Sequence, residues 1–134
     1  EAINARELEC SVLGTMQEVR TSVVGEIRPQ NEFYDYEAKY ISDDSELIIP
    51  APVSEETSNE LRRLAEKVFR TLDGRGLARV DFFLDKDSGR LLFNEINTIP
   101  GFTSISMYPK LFEHAGLPCP ELINELLKIA LKGK

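Results

Sequence analysis

Residues 77–84 (LARVDFFL) and 90–97 (RLLFNEIN) both alternate with period two, and only a short polar stretch around Asp87-Ser88-Gly89 separates them. Two such runs joined so closely must lie antiparallel, because a parallel pair needs a crossover of a dozen or more residues. Asp87-Ser88-Gly89 suits a three-residue hairpin loop with glycine at the position of positive φ. With Lys86 facing Arg90, Asp81 falls opposite Glu95 and Arg79 opposite Asn97; a bulge at Gly89 shifts this by one. Ala78, Val80, Phe82 and Leu84 then share one face of the first strand, and Arg79, Asp81 and Phe83 the other. The same alternation puts Leu91, Phe93, Glu95 and Asn97 on one face of the second.

The rest of the chain supplies elements around this hairpin. Residues 7–14 and 17–26 read as strands, β-branched and alternating, and 47–49 as a short one before Pro50. Ser54 can cap a helix whose Leu61, Leu64, Ala65, Val68, Phe69 and Leu72 repeat at helical spacing, with Glu55 and Glu56 at its positive end and Gly74 and Gly76 stopping it. Pro109 and Gly116 bracket a short helix. A last one begins near Pro120, with Leu122, Ile123, Leu126, Leu127 and Ala130 as its apolar stripe. This order predicts an α+β fold, a mostly antiparallel sheet packed with helices and covered on one face. No repeat or interior linker divides the 134 residues, so a single domain spanning 1–134 is expected. The stretch from Arg28 to Tyr40 has no clean period and reads as a functional loop. Glu1 stands in place of a starting Met, so the chain reads as a piece of a longer protein.

Sixteen Lys and Arg against 23 Asp and Glu give a net charge of −7, with the basic residues scattered. That field argues against nucleic acid or an anionic membrane surface as main partner, though not against phosphate held locally. No apolar run approaches the ~18 residues of a membrane span. Cys10 and Cys119 match no metal-ligand spacing and read as reduced packing residues.

Chemistry concentrates on the hairpin. Two carboxylates and an amide oxygen (Asp81, Glu95, Asn97) on one face beside Arg79 repel one another unless neutralised. A hard divalent cation with oxygen ligands is one solution. An Arg79–Asp81 pair with Glu95 in solvent is the other. Asn97-Thr98-Ile99-Pro100-Gly101-Phe102-Thr103-Ser104 then leaves the strand through a Pro-Gly turn that can aim backbone N–H groups at an anion. Together these suit Mg²⁺-bound phosphate chemistry.

The same residues carry a resemblance. Asn94-Glu95-Ile96-Asn97-Thr98-Ile99-Pro100-Gly101-Phe102-Thr103 resembles the metal-binding signature of ATP-grasp carboxylate–amine ligases. Phe33-Tyr34-Asp35-Tyr36-Glu37-Ala38-Lys39-Tyr40 resembles the loop signature of bacterial D-alanine–D-alanine ligases. Ala5-Arg6-Glu7-Leu8-Glu9-Cys10 and Leu77-Ala78-Arg79-Val80-Asp81 match that family in order. The resemblance implies two Mg²⁺ ions (Mn²⁺ as substitute) on Asp81, Glu95 and Asn97, with Glu95 bridging. It implies ATP contacts from Ile3 at adenine, Glu7 at ribose, Lys39 at the γ-phosphate, and Asn94 and Glu95. Arg79 and the Gly101 N–H would stabilise an oxyanion. Ser106 and Met107 would grip the carboxylate of the second D-alanine, and Tyr40 would select an amino acid over D-lactate.

The implied reaction phosphorylates one D-alanine on its carboxylate and lets the amine of a second displace phosphate, under a loop around 28–40 that closes over the site and is expected to be displaced without ATP. The implied parent is a cytoplasmic enzyme of peptidoglycan synthesis, with a homodimer as one form. This chain resembles the C-terminal half of its ATP-grasp module. The N-terminal domain and the middle lobe are missing from it, so alone it should not catalyse. A D-alanine–D-lactate ligase, another ATP-grasp ligase, and a non-catalytic nucleotide- or metal-binding module stay open. Plainer readings stand beside these roles: His114 as a surface or packing residue, Met107 as core filler, Phe33, Tyr34 and Tyr36 as rings pinning a loop, and Arg62, Arg63, Lys67 and Arg70 as a solvated helix face.

Overall fold

The computed structural model describes residues 3–29 and 45–133. Five strands, β1 (Ala5–Gly14), β2 (Val19–Pro29), β3 (Ser45–Ile48), β4 (Gly76–Asp85) and β5 (Leu91–Asn97), form one sheet in the order β3-β2-β1-β4-β5, with every neighbouring pair antiparallel. Among the described residues three helices accompany it: α1 (Glu55–Thr71), α2 (Met107–His114) and α3 (Cys119–Leu131). The loop expected from Arg28 begins later, since Arg28 and Pro29 still pair with Glu46 and Ser45. Its remainder, with Phe33, Tyr34, Tyr36, Lys39 and Tyr40, lies outside the described residues.

The sheet is not covered on one face alone. Along β1, Leu8, Cys10 and Val12 meet α1, while Leu13 points the other way and packs with Tyr108, Phe112, Leu117 and Leu122 of the α2–α3 unit. A strand buried on both faces loses the alternation that marks a one-sided sheet. On the first face, Leu61, Ala65 and Phe69 recur one helical turn apart and bury fully. Removing a Leu or Phe side chain from water is worth about 1.5–3 kcal/mol, so this stripe holds α1 down. The Ser54 hydroxyl caps the helix by accepting the Thr57 N–H at 3.1 Å. Its far end closes with Asp73, not a glycine, at positive φ (54°), as the Asp73 and Gly74 N–H groups reach back to the Arg70 and Phe69 carbonyls. Arg63 and Arg70 pair with Glu60 and Glu66 along the outer face, and Arg62 donates to Thr21. His114 is exposed.

On the second face, α2 is tied to β1 by two hydrogen bonds. The Tyr108 hydroxyl donates to the Val12 carbonyl at 2.9 Å, and the Ser11 hydroxyl donates to the Tyr108 carbonyl at 3.2 Å. The inward stripe of α3 is Leu122, Leu126 and Ile129. Ile123 and Leu127, expected in that stripe, are 43% and 54% exposed. Each stands one residue, about 100°, round the helix from a residue already facing the core.

The hairpin itself departs from expectation twice, and the departures cancel. The Asp85 N–H donates to the Arg90 carbonyl at 3.0 Å, so four residues, Lys86–Gly89, form the loop instead of three. That moves the register by one. A bulge then leaves Asn94 without a partner between the Phe82–Phe93 and Asp81–Glu95 pairs and moves it back. Arg79 therefore faces Asn97 and Asp81 faces Glu95, as read from the sequence. The bulge also divides β5: Phe93 faces Phe82 on the α1 side, with ring centroids 6.1 Å apart, while Glu95 and Asn97 lie on the opposite face. Leu91, Phe93, Glu95 and Asn97 consequently do not share one face.

Candidate active site

The registers of three adjacent strands place Glu9, Asp81 and Glu95 in one row, and Ser11, Arg79 and Asn97 in the next. Adjacent strands lie about 4.8 Å apart, so three carboxylates stand side by side on the face that α2 and α3 leave partly open. Exposure rises along the row: Glu9 is 4% exposed, Asp81 9%, and Glu95 is open to solvent.

Arg79 answers part of this charge. Its Nε and Nη2 each donate to Asp81 at 2.8 Å, and the Glu9 Oε2 lies 3.1 Å from Nε. The Nε hydrogen is directed at Asp81, which leaves Glu9 Oε2 buried without a hydrogen bond. Burial, then the Asp81 charge, push the Glu9 carboxyl up to about 8, with Arg79 opposing and Glu7 and Glu95 adding to the rise. The hydrogen bonds to Asp81 hold the Arg79 guanidinium well above its ordinary pKa. Sequence reasoning gave Glu9 no role. Its alternation with Glu7 was visible, but its neighbour Asp81 lies 72 positions on and only the β1–β4 pairing joins them.

Past β5, the Asn97 Oδ1 accepts the Ile99 N–H at 3.0 Å and starts the turn. The chain returns so that Gly101 approaches Ser106, where a Cβ at Gly101 would come 3.0 Å from the Ser106 Oγ. Ser106 accepts the Thr103 N–H at 3.0 Å and lies 2.7 Å from its hydroxyl. Met107 is buried, over Gly25 on β2, which itself faces Glu9. Asp81, Glu95, Asn97 and Arg79 are thus brought together, as are Gly101 and Ser106. Ile3, Glu7 and Asn94 are exposed. Lys39 and Tyr40 lie outside the described residues.

No three His, Cys, Asp or Glu side chains converge as a closed metal centre among the described residues. What stands instead is a set of hard oxygen donors: the Asp81 and Glu95 carboxylates and the Asn97 amide, beside a buried carboxylate oxygen with no hydrogen-bond partner. With Glu9 held largely protonated by its burial, the Asp81 and Glu95 carboxylates against one guanidinium still leave the row net negative. This donor chemistry fits a hard divalent cation. A separate concavity of about 410 Å³ lies at the Gly14 end of β1, where Arg75 caps the C-terminal carbonyls of α3 and Lys128 pairs with Glu125.

An antiparallel five-stranded sheet with helices on both faces and an acidic row on its open part defines an α+β lobe of the ATP-grasp type. The chain belongs to the family described as D-ala D-ala ligase C-terminus, whose model it matches over residues 1–128. It is 55% identical over 132 residues to a D-alanine–D-alanine ligase of Caldicellulosiruptor bescii, covering 98% of this chain and 36% of that one. It is equally similar over 134 residues to that of Halothermothrix orenii, covering 100% of this chain and 38% of the relative. The chain therefore spans about a third of the length of these curated relatives. Among solved structures it resembles the D-alanine–D-alanine ligase from Coxiella burnetii, with a TM-score of 0.84 at 38% identity, over 98% of this chain and 33% of that one. It also resembles the VanG D-Ala:D-Ser ligase from Enterococcus faecalis, with a TM-score of 0.83 at 36% identity, over 96% and 37% of the two chains.

Proposed function

We propose that this chain is one unit, residues 1–134, that forms the C-terminal ATP-grasp lobe of an ATP-dependent ligase joining two D-alanines for peptidoglycan synthesis. The observation that carries this reading is the pair of rows Glu9–Asp81–Glu95 and Ser11–Arg79–Asn97 on an open sheet face, running directly into the Pro100-Gly101 turn. Asp81, Glu95 and Asn97 would hold two Mg²⁺ or Mn²⁺ ions, which would supply Lewis-acid charge for the ATP phosphates.

The chain's own residues do the remainder. Glu7 hydrogen-bonds the ribose, Ile3 packs on adenine, Asn94 lines the nucleotide side, and Lys39 meets the γ-phosphate. The γ-phosphoryl group passes to the carboxylate of the first D-alanine, because a free carboxylate is a poor acyl donor. The amine of the second attacks, and phosphate leaves. Arg79 and the Gly101 N–H stabilise the oxyanion formed at the attacked carbon. Ser106 and the start of α2, with Met107, receive the carboxylate of the second substrate. An open face of this kind is half of a clamp, so this chain by itself is not expected to turn over. The parent is read as a cytoplasmic enzyme that can be a homodimer and has no nucleic-acid or membrane partner. Among the described residues no helix is long and apolar enough to cross a membrane.

The likeness to a D-Ala:D-Ser ligase favours one second reading, a different acceptor on the same chemistry. Phosphate release by the full-length protein, assayed with D-alanine alone and with D-serine or D-lactate as acceptor, decides between them. D-Alanine-dependent turnover at least as fast as with either competitor supports the dipeptide reading. No turnover with any acceptor favours a binding module.

A further inference from the structure

Arg79 is asked to serve two sites. It occupies both Asp81 oxygens here, yet the reading above needs Asp81 for a cation and the guanidinium for an oxyanion. A guanidinium turned off Asp81 on this sheet face is favoured to find another acceptor, because its side chain is only 19% exposed and a charge with so little water around it is costly to leave unpaired. Glu9 meets that need on three counts. Its carboxyl group is buried, it lies directly across from Asp81, and its Oε2 stands 3.1 Å from Arg79 Nε with no hydrogen bond of its own.

We propose that Glu9 is a positioning residue for Arg79: it takes over the guanidinium when a divalent cation claims Asp81, and so sets both the ease of cation entry and the place of Arg79 in the loaded site. This rests on the cation reading of Asp81 and Glu95. The exchange needs only a turn of the guanidinium between two carboxylates on neighbouring strands, with no backbone movement. The spare lone pairs of Glu9, unexplained by the resting hydrogen bonds, then have a use.

The test uses the full-length ligase and reads Mn²⁺ binding by electron paramagnetic resonance, without turnover. Glu9→Gln keeps the shape but cannot become the carboxylate that would receive Arg79. It should weaken Mn²⁺ binding roughly 10-fold, within the range found for groups that orient metal ligands. In an Arg79→Gln background, where nothing has to be handed over, Glu9→Gln should change Mn²⁺ affinity less than about twofold. Glu9→Asp, which restores the carboxyl group, should recover part of the loss. The same 10-fold weakening in both backgrounds would mean that Glu9 acts only through its field, which overturns the proposal. Unchanged affinity in Glu9→Gln overturns it also. Loss of Mn²⁺ binding in Glu95→Gln, measured alongside, shows that the cation reading itself holds. If Glu95→Gln and wild type bind Mn²⁺ alike, the cation reading fails and the handover fails with it. Thermal melting of each variant identifies any that do not fold, and Glu9→Asp then carries the comparison.

Discussion

Arg79 grips both carboxylate oxygens of Asp81, two positions along the same strand, through Nε and Nη2 at 2.8 Å each. Residues at i and i+2 of a strand lie on one face, and the long arginine stem spans the gap. The pair matters because β1 and β5 bring Glu9 and Glu95 up to Asp81 from either side. One guanidinium makes a row of three acids tolerable in the fold.

Arg79→Gln should therefore destabilise the protein by about 3 kcal/mol, since it leaves Glu9 and Asp81 buried and facing each other. Millimolar Mn²⁺ should restore more of the melting temperature in this variant than it adds to wild type. Thermal denaturation with and without the ion checks both statements.

Glu95→Gln should separate activity from stability. Glu95 is exposed, so the stability of the variant should stay within ~0.5 kcal/mol of wild type, read by thermal denaturation. Turnover of the full-length ligase should fall ~10²–10³-fold, the scale of losing one preorganised charge contact in the transition state. Normal turnover at low Mg²⁺ would remove Glu95 from the metal site.

Gly25→Ala probes the seat of α2. A Cβ there would come 2.7 Å from Leu111 Cδ2 and 3.0 Å from Met107 Sδ, both ends of flexible side chains. The cost should be about 1–2 kcal/mol. Because Met107 shifts with it, KM for the second D-alanine should rise more than kcat falls, which steady-state kinetics on the full-length enzyme reads directly.

Acid stability should depend on Glu26. Hydrogen bonds from Arg6 hold its carboxyl below the ordinary 4.5, against burial, with Arg28 assisting. A lowered carboxyl pKa in the fold means that the unfolded chain binds the proton more readily. The stabilisation is complete above about pH 4.5 and is lost as pH falls from there through the folded value. Arg6→Gln should lower stability at neutral pH by about 3 kcal/mol and flatten this acid limb. Urea unfolding at a series of pH values measures both.

Tyr40→Phe should shift the acceptor preference of the full-length ligase from D-alanine towards D-lactate, read as the ratio of kcat/KM for the two acceptors. An unchanged ratio would remove the main sequence support for a dipeptide product.

The sequence by itself determined the elements and the local half of the site. Alternation, the Ser54 cap and the i, i+4 spacing of α1 are local signals, so strands and helices fell where they were read. The Asp81–Glu95 pairing was legible because its partners sit on one hairpin, although two shifts that no local rule announced, the four-residue loop and the Asn94 bulge, had to cancel for it to hold. Sequence alone did not place the inward stripe of α3, because Leu122-Leu126 and Ile123-Leu127 are both apolar at helical spacing and only the groove of Tyr108, Phe112 and Leu117 selects one. Nor did it place Glu9 beside Asp81 and Arg79. The β1–β4 register that sets them together depends on burying Leu8, Cys10 and Val12 under α1 and Leu13 under α2, a condition satisfied only once distant segments pack. Long-range strand pairing is chosen by which side chains reach the core on both faces, and that choice, made by the tertiary structure, put a third carboxylate in the row.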